Sequence, residues 1–355
     1  MSAETFTELA DSVSAPDKET ARVAQALQDR LTKPQGSLGF LEVIGVQLAA
    51  IAGTCPPPVP EPVTVAVFAG DHGVVDAGVT PWPQEVTAQM VANFCGGGAA
   101  INVLARHSGA HVVVIDVGVA TSVPGDAAGL VRRNVAKGTA NLFTGPAMTE
   151  SQASEALNVG ADIAREAIAS GARLLVTGDM GIGNTTPSAA LIARFTRSKA
   201  SEVTGRGTGI DDDMLVVKTR VIETALARVS FDASPLSVLA EVGGLEIAAL
   251  TGFIVAGAAS RVPVVIDGVI AVAAAVVATA FSPHVPGYLI AGHRSSEPAA
   301  SAGLAHLGLT PILDLGLRLG EGSGAVLAIP LVQAAAKILR EMATFDSAGV
   351  SERDA

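Results

Sequence analysis

The residues best placed to do chemistry sit in glycine-bounded loops. Glu321 lies in the stretch Leu315-Gly316-Leu317-Arg318-Leu319-Gly320-Glu321-Gly322-Ser323-Gly324-Ala325. Glycines on either side give its carboxylate little steric cover, and partial burial between apolar stretches would raise its pKa toward the range of a general base. The plain alternative is an acid at a helix start, where the helix dipole favours it. A second candidate is Gly178-Asp179-Met180-Gly181-Ile182-Gly183-Asn184-Thr185-Thr186, after a β-branched run and before an Ala-rich segment. Its glycines allow a tight turn whose N–H groups face a phosphate or ribose, or merely a strand-to-helix turn with threonine caps. The spacing GxxGxG is not the dinucleotide pattern GxGxxG, and GxxxxGK[ST] does not occur, so NAD and ATP have no motif here.

A third loop, Gly205-Arg206-Gly207-Thr208-Gly209, is followed by Asp211-Asp212-Asp213 and Lys218. Arg206 or Lys218 could meet a phosphate, the first as a fork and the second as a point charge. The aspartates suggest either a metal or, as the preferred reading, acids at a helix start. Gly292-His293-Arg294-Ser295-Ser296-Glu297-Pro298 reads as an anion pocket, or as an Arg294–Glu297 pair with serine caps. The six histidines show neither HxH nor HExxH spacing, GxSxG is absent, and Cys95 has no evident base. Zinc hydrolysis and serine or cysteine nucleophiles therefore lack support.

Buried parallel strands joined by helices would position such loops. Apolar runs at Val63–Phe68, His111–Ile115, Leu174–Val176 and Val264–Ile266 each end in Gly or Asp, with helix-length Ala-rich segments at 86–107, 151–171, 187–196, 214–229 and 269–281. Continuous β-branched runs alternating with helices indicate a parallel sheet covered on both faces, with ligands at the strand C-termini. The N-terminal part reads as helices at Ala21–Leu31 and Leu38–Ala52, with Ser37 a candidate cap, before the proline-rich connector Pro56-Pro57-Pro58. A last helix is expected over Leu331–Met342.

Composition agrees. The 355 residues are 49% hydrophobic and 16% charged, enough for a large core. A net charge of −11 and 3% aromatic residues argue against nucleic-acid binding. Pro263 and Asp267 interrupt the most lipid-like stretch, so no membrane span is expected. The two cysteines, Cys55 and Cys95, form no CxxC and suit a reducing cytoplasm.

Nine motifs in register carry a resemblance. They are Lys33–Gly39, Gly70–Val74, Pro83–Thr87, Gly97–Asn102, Gly178–Thr186, Gly205–Gly209, Asp267-Gly268, Gly292–Pro298 and Gly320–Ala325. Together they resemble the nicotinate-nucleotide:dimethylbenzimidazole phosphoribosyltransferase family. The resemblance implies an α/β fold, a Rossmann-like parallel sheet with flanking helices plus a small helical domain from both chain ends. The division would be 1–60 and 301–355 for the small part and 61–300 for the large one. It implies transfer of phosphoribose from nicotinate mononucleotide to 5,6-dimethylbenzimidazole by a cytoplasmic homodimer, with no metal or organic cofactor. The general base falls on Glu321; substrate contacts fall on Gln89, Asp179, Gly181, Gly207, Lys218, Gly268 and Ser295. Two positions depart from the family's habit: Asp179 stands where Glu is frequent, and Trp82 where Tyr is common.

Overall fold

The computed structural model describes residues 5–123 and 127–351. The outermost positions of the two end segments, 1–4 and 352–355, lie outside the described residues. Six described strands form one parallel sheet: β1 Val63–Gly70, β2 His111–Gly118, β3 Leu130–Arg132, β4 Leu174–Met180, β5 Val264–Ile266 and β6 Leu289–Ala291. Their order is β3-β2-β1-β4-β5-β6. The chain therefore builds outward from β1 in one direction, then returns to the other side of β1 at β4. That reversal leaves a crevice between the C-terminal ends of β1 and β4, where ligands bind in open parallel sheets.

Alternation along β1 explains the two covered faces. Val63, Val65, Val67 and Ala69 join one apolar cluster, while Ala66 and Phe68 join the other. Successive side chains point to opposite faces, so a strand apolar at every position must be covered twice. On one face the helix Glu150–Ala169 packs against Leu245–Ala259 at backbone contact distance. A Cβ at Gly160 would stand 1.7 Å from the carbonyl oxygen of Ala249, and one at Gly252 would stand 1.9 Å from that of Leu157. Only glycine admits this approach.

The other face is covered by the helices Val86–Cys95 and Ala100–Ser108 and by helices from both chain ends. Helices Phe40–Ala52 and Ser323–Glu341 pack together, and their Ile44, Leu48, Val326, Ile329 and Val332 share a cluster with Val65 and Val176 of the sheet. Lys33 and Glu42 form a buried ion pair at 2.8 Å beneath the entry to the first of these helices. Ser37 does not cap that helix. The chain enters through Gly39 at φ 55°, and Glu42 itself accepts the Leu38 N–H at 3.0 Å.

Other boundaries also differ from expectation. The run 86–107 is two helices, Val86–Cys95 and Ala100–Ser108, broken at the glycines between them. The last long helix starts at Ser323 and runs through Pro330. Proline there frees the carbonyl four residues earlier, and the Ser108 hydroxyl donates to that Val326 oxygen at 3.2 Å. Among the described helices this one alone is long and apolar enough to cross a membrane, and just over half of that stretch is buried within the protein.

Candidate active site

The crevice is closed on top by the loop that carries Glu321. Gly320, Glu321 and Gly322 have φ of 82°, 64° and 92°, so a non-glycine residue is held in the left-handed region between two glycines. The loop lies directly on β4. A Cβ at Gly178 would stand 2.6 Å from the Glu321 carbonyl oxygen, and one at Gly322 would stand 2.9 Å from the Thr177 oxygen. Gly178 is thus a strand residue paired with Val67, and not part of the glycine turn to which the sequence assigned it.

Glu321 is 5% exposed, and its Oε2 accepts the Ile101 N–H at 3.2 Å, in the first turn of the helix Ala100–Ser108. Burial pushes its pKa above the ordinary carboxylate value; the Ile101 N–H opposes this, and the nearby Asp267 charge adds to the rise. Oε1 takes no hydrogen bond among the described residues. A buried, incompletely satisfied carboxylate with a raised pKa has the make-up of a proton acceptor.

Asp267 directly follows β5, and its N–H is donated to Thr177 Oγ1 at 3.1 Å. Its carboxylate accepts three N–H groups of the Glu321 loop: Gly322 at 3.1 Å, Gly324 at 2.8 Å and Ala325 at 2.9 Å. It therefore caps the helix Ser323–Glu341 from a different segment of the chain. His293 Nε2 lies 3.3 Å from the same carboxylate. Burial works against a charge on His293, but Asp267 outweighs it and the imidazole pKa is raised.

Below the loop is a cleft open to solvent. Asp179, Gly181, Gly207, Gly268 and Ser295 line it. Lys218 lines an adjoining cleft that shares Gly181 and Gly207. Glu321 follows Gly320, which lines the larger cleft. Gln89 does not join this group: it is exposed on the helix Val86–Cys95 and lines neither cleft. Trp82 is also exposed, at 48%.

Each lining residue has a describable state. Lys218 is buried, and its Nζ donates to Thr185 Oγ1 at 2.8 Å and to the Gly205 carbonyl at 3.0 Å. Burial lowers its pKa to about 8, against the opposing pull of Glu297. The Gly207 N–H is already donated to Glu297 Oε1 at 2.8 Å, so a phosphate at that position must displace a carboxylate. Glu297 is thus turned inward, and Arg294 pairs instead with Asp314 at 3.2 Å. Asp179 accepts from Asn184 Nδ2 at 3.0 Å, while its Oδ1 is buried without a hydrogen-bond partner among the described residues. Burial, then the neighbouring Asp267 and Glu246, push its pKa well above the usual range. The Gly181–Asn184 turn is tied to the helix Val86–Cys95 by the Ile182 N–H, which donates to Thr87 Oγ1 at 3.1 Å. Asp211 caps the helix Asp212–Leu226 by accepting the Met214 N–H, as the preferred reading of the acidic run had it.

Some residues that build the site were not among the candidate site residues, although His72 lies in the Gly70–Val74 motif and Arg318 in the stretch before Glu321. His72 and Glu246, both fully buried, meet at 2.8 Å at the crevice. Burial disfavours the His72 cation, yet Glu246 prevails and raises its pKa. The pair lies against Gly181: a Cβ there would be 3.2 Å from His72 Nε2. Arg318, which donates to the Gly207 carbonyl at 3.1 Å, adds a cation to the cleft wall. Glu246 lies 174 positions from its partner, and no local pattern announces such a pairing. Among the described residues, no group of three or more His, Cys, Asp and Glu side chains is arranged to hold a metal ion.

A parallel sheet with this strand order, glycine turns at its C-terminal edge and a buried cation beside them define an α/β nucleotide-handling enzyme. The chain belongs to the phosphoribosyltransferase family, whose pattern it matches over residues 13–350. It is 54% identical over 351 residues to the nicotinate-nucleotide–dimethylbenzimidazole phosphoribosyltransferase of Salinispora tropica, covering 95% of this chain and 96% of that one. The enzyme of the same name from Geobacter sulfurreducens is 52% identical over 98% of this chain and 99% of its own. A crystal structure of the Thermus thermophilus enzyme of that name superposes with a TM-score of 0.90 at 47% identity, over 95% of this chain and 100% of that one.

Proposed function

We propose that this phosphoribosyltransferase transfers the phosphoribosyl group of nicotinate mononucleotide to 5,6-dimethylbenzimidazole, giving α-ribazole 5′-phosphate and nicotinate. The bond from C1′ to the nicotinate nitrogen breaks as a bond from C1′ to one benzimidazole nitrogen forms. The proton on the other benzimidazole nitrogen passes to Glu321. Nicotinate leaves from a pyridinium and needs no acid; the difficult part is a neutral heterocycle that must shed its proton as it attacks. A positioned base is worth about 10²–10⁴-fold in such a step. Attack from the face opposite the leaving group inverts C1′ from β to α.

The observation that carries this reading is a buried Glu321 directly after Gly320, which lines a cleft together with Asp179, Gly181, Gly207, Gly268 and Ser295. In this reading Lys218 and the Gly181 turn hold the 5′-phosphate, with Gly207 joining them once Glu297 gives way. Asp179, Gly268 and Ser295 face the ribose. Gln89 borders the acceptor base from its exposed helix, which requires that the base enter from that side. The enzyme works as a cytoplasmic homodimer, with the helices of 1–60 and 301–355 forming one smaller unit beside 61–300.

The test is nicotinate release from nicotinate mononucleotide with 5,6-dimethylbenzimidazole, benzimidazole and adenine as acceptors, with the product anomer read by NMR. An α-ribazole phosphate formed fastest with the dimethylated base is expected. Preference for adenine would reassign the acceptor, and a β product would remove the inverting mechanism.

A further inference from the structure

We propose that Asp267 is the positioning residue for Glu321, holding the base in place through the backbone of the loop that carries it. This rests on the reading of Glu321 as the base. Three facts carry it. A left-handed Glu321 between two positive-φ glycines is a conformation that its own preferences do not favour and that the surroundings must impose. The only charged group bonded to that loop's backbone, among the described residues, is Asp267, with one oxygen on Gly322 and the other on Gly324 and Ala325. Gly322 is the residue next to Glu321, so its N–H belongs to the peptide that Glu321 itself enters. Asp267 is in turn fixed from outside the loop, by Thr177 on β4 and by its place directly after β5. The device is rigid from the sheet to the base.

Both carboxylate oxygens are needed. An asparagine at 267 has one acceptor oxygen, so its NH₂ must face either the Gly322 N–H or the Gly324 and Ala325 pair, donor against donor. Either outcome frees one side of the loop. A displacement near 1 Å at a reacting group costs about 10²-fold. Asp267 also acts through its charge, which adds to the raised pKa of Glu321. The ionisable groups around this loop are Asp267 from the residue after β5, Asp179 from the end of β4 and His293 from the segment after β6.

The experiment is a mutant cycle of wild type, Asp267→Asn, Glu321→Gln and the double variant, with kcat and KM measured against pH. Asp267→Asn should lower kcat about 10²-fold, change the KM for nicotinate mononucleotide little, and move the acid limb of kcat to lower pH. In the Glu321→Gln background the same substitution should change the residual rate by less than a few-fold, because the group it positions is gone. A full, additive loss in both backgrounds, or an Asp267→Asn enzyme with wild-type kcat and acid limb, overturns the proposal. A Glu321→Gln enzyme with wild-type kcat instead sinks the base reading itself. If Asp267→Asn does not fold, Asp267→Glu serves: the charge is kept but the oxygens are displaced, and a wild-type kcat in that variant overturns the proposal equally.

Discussion

Gly178→Ala is the substitution whose consequence follows most directly from the packing. The added methyl would sit 2.6 Å from the Glu321 carbonyl oxygen, 3.1 Å from its carbon and 2.9 Å from Val67 Cγ2. Relief to ordinary contact requires the carbonyl to withdraw by about 0.8 Å. The strand does not yield, since β4 is paired to β1 on one side and β5 on the other. The loop does. Overpacking of this kind costs about 1–3 kcal/mol of stability, and the displaced base costs about 10²-fold in kcat. The assay is nicotinate release at saturating mononucleotide and base, alongside thermal denaturation, with Gly145→Ala as control because no atom stands within 4 Å of its added carbon. A Gly178→Ala enzyme with kcat within twofold of wild type would refute the claim that β4 seats the base.

Other expectations follow from single observations. Lys218→Ala should raise the KM for nicotinate mononucleotide by about 10–100-fold, the worth of one charged hydrogen bond, with a smaller change in kcat. The acid limb of kcat should lie above the ordinary carboxylate range, because Glu321 must be ionised and its pKa is raised. The alkaline limb of kcat/KM should fall near pH 8, where free-enzyme Lys218 loses its proton; a pH–rate profile that stays flat to about pH 9.5 would contradict it. Lys33→Met leaves Glu42 buried without its cation and should cost about 3–5 kcal/mol in denaturant unfolding. The Glu42 pKa is lowered in the fold. Its contribution is therefore present above the unfolded value and lost as pH falls through the folded one.

The sequence disclosed what is continuous along the chain and hid what is assembled across it. Strands β1, β2, β4 and β5 announce themselves as apolar runs rich in β-branched residues, even β5 with only Val264-Val265-Ile266, whereas the equally short β3 and β6 hold one β-branched residue each and leave no such signal. The helix Leu245–Ala259 is buried almost throughout, so it has no polar face to mark it. Pro330 disguised the start of the last long helix, because its rescue by Ser108 is a tertiary contact. Glu321, Asp179 and the glycine turns were legible as motifs. Asp267 was legible as a strand-end acid and as part of the Asp267-Gly268 motif; its hold on Gly322, 55 positions away, is not written in any local pattern. Gln89, carried over from the resemblance alone, lines neither cleft, and Glu321 adjoins the larger one only through Gly320.

The most direct test of the central claim is the pH dependence of kcat for Glu321→Gln with 5,6-dimethylbenzimidazole, on protein whose thermal unfolding matches wild type. If Glu321 takes the proton, kcat falls about 10²–10⁴-fold and the acid limb disappears, leaving a rate that no longer depends on a carboxylate. A variant that keeps both its rate and its acid limb would show that another group, or none, removes that proton.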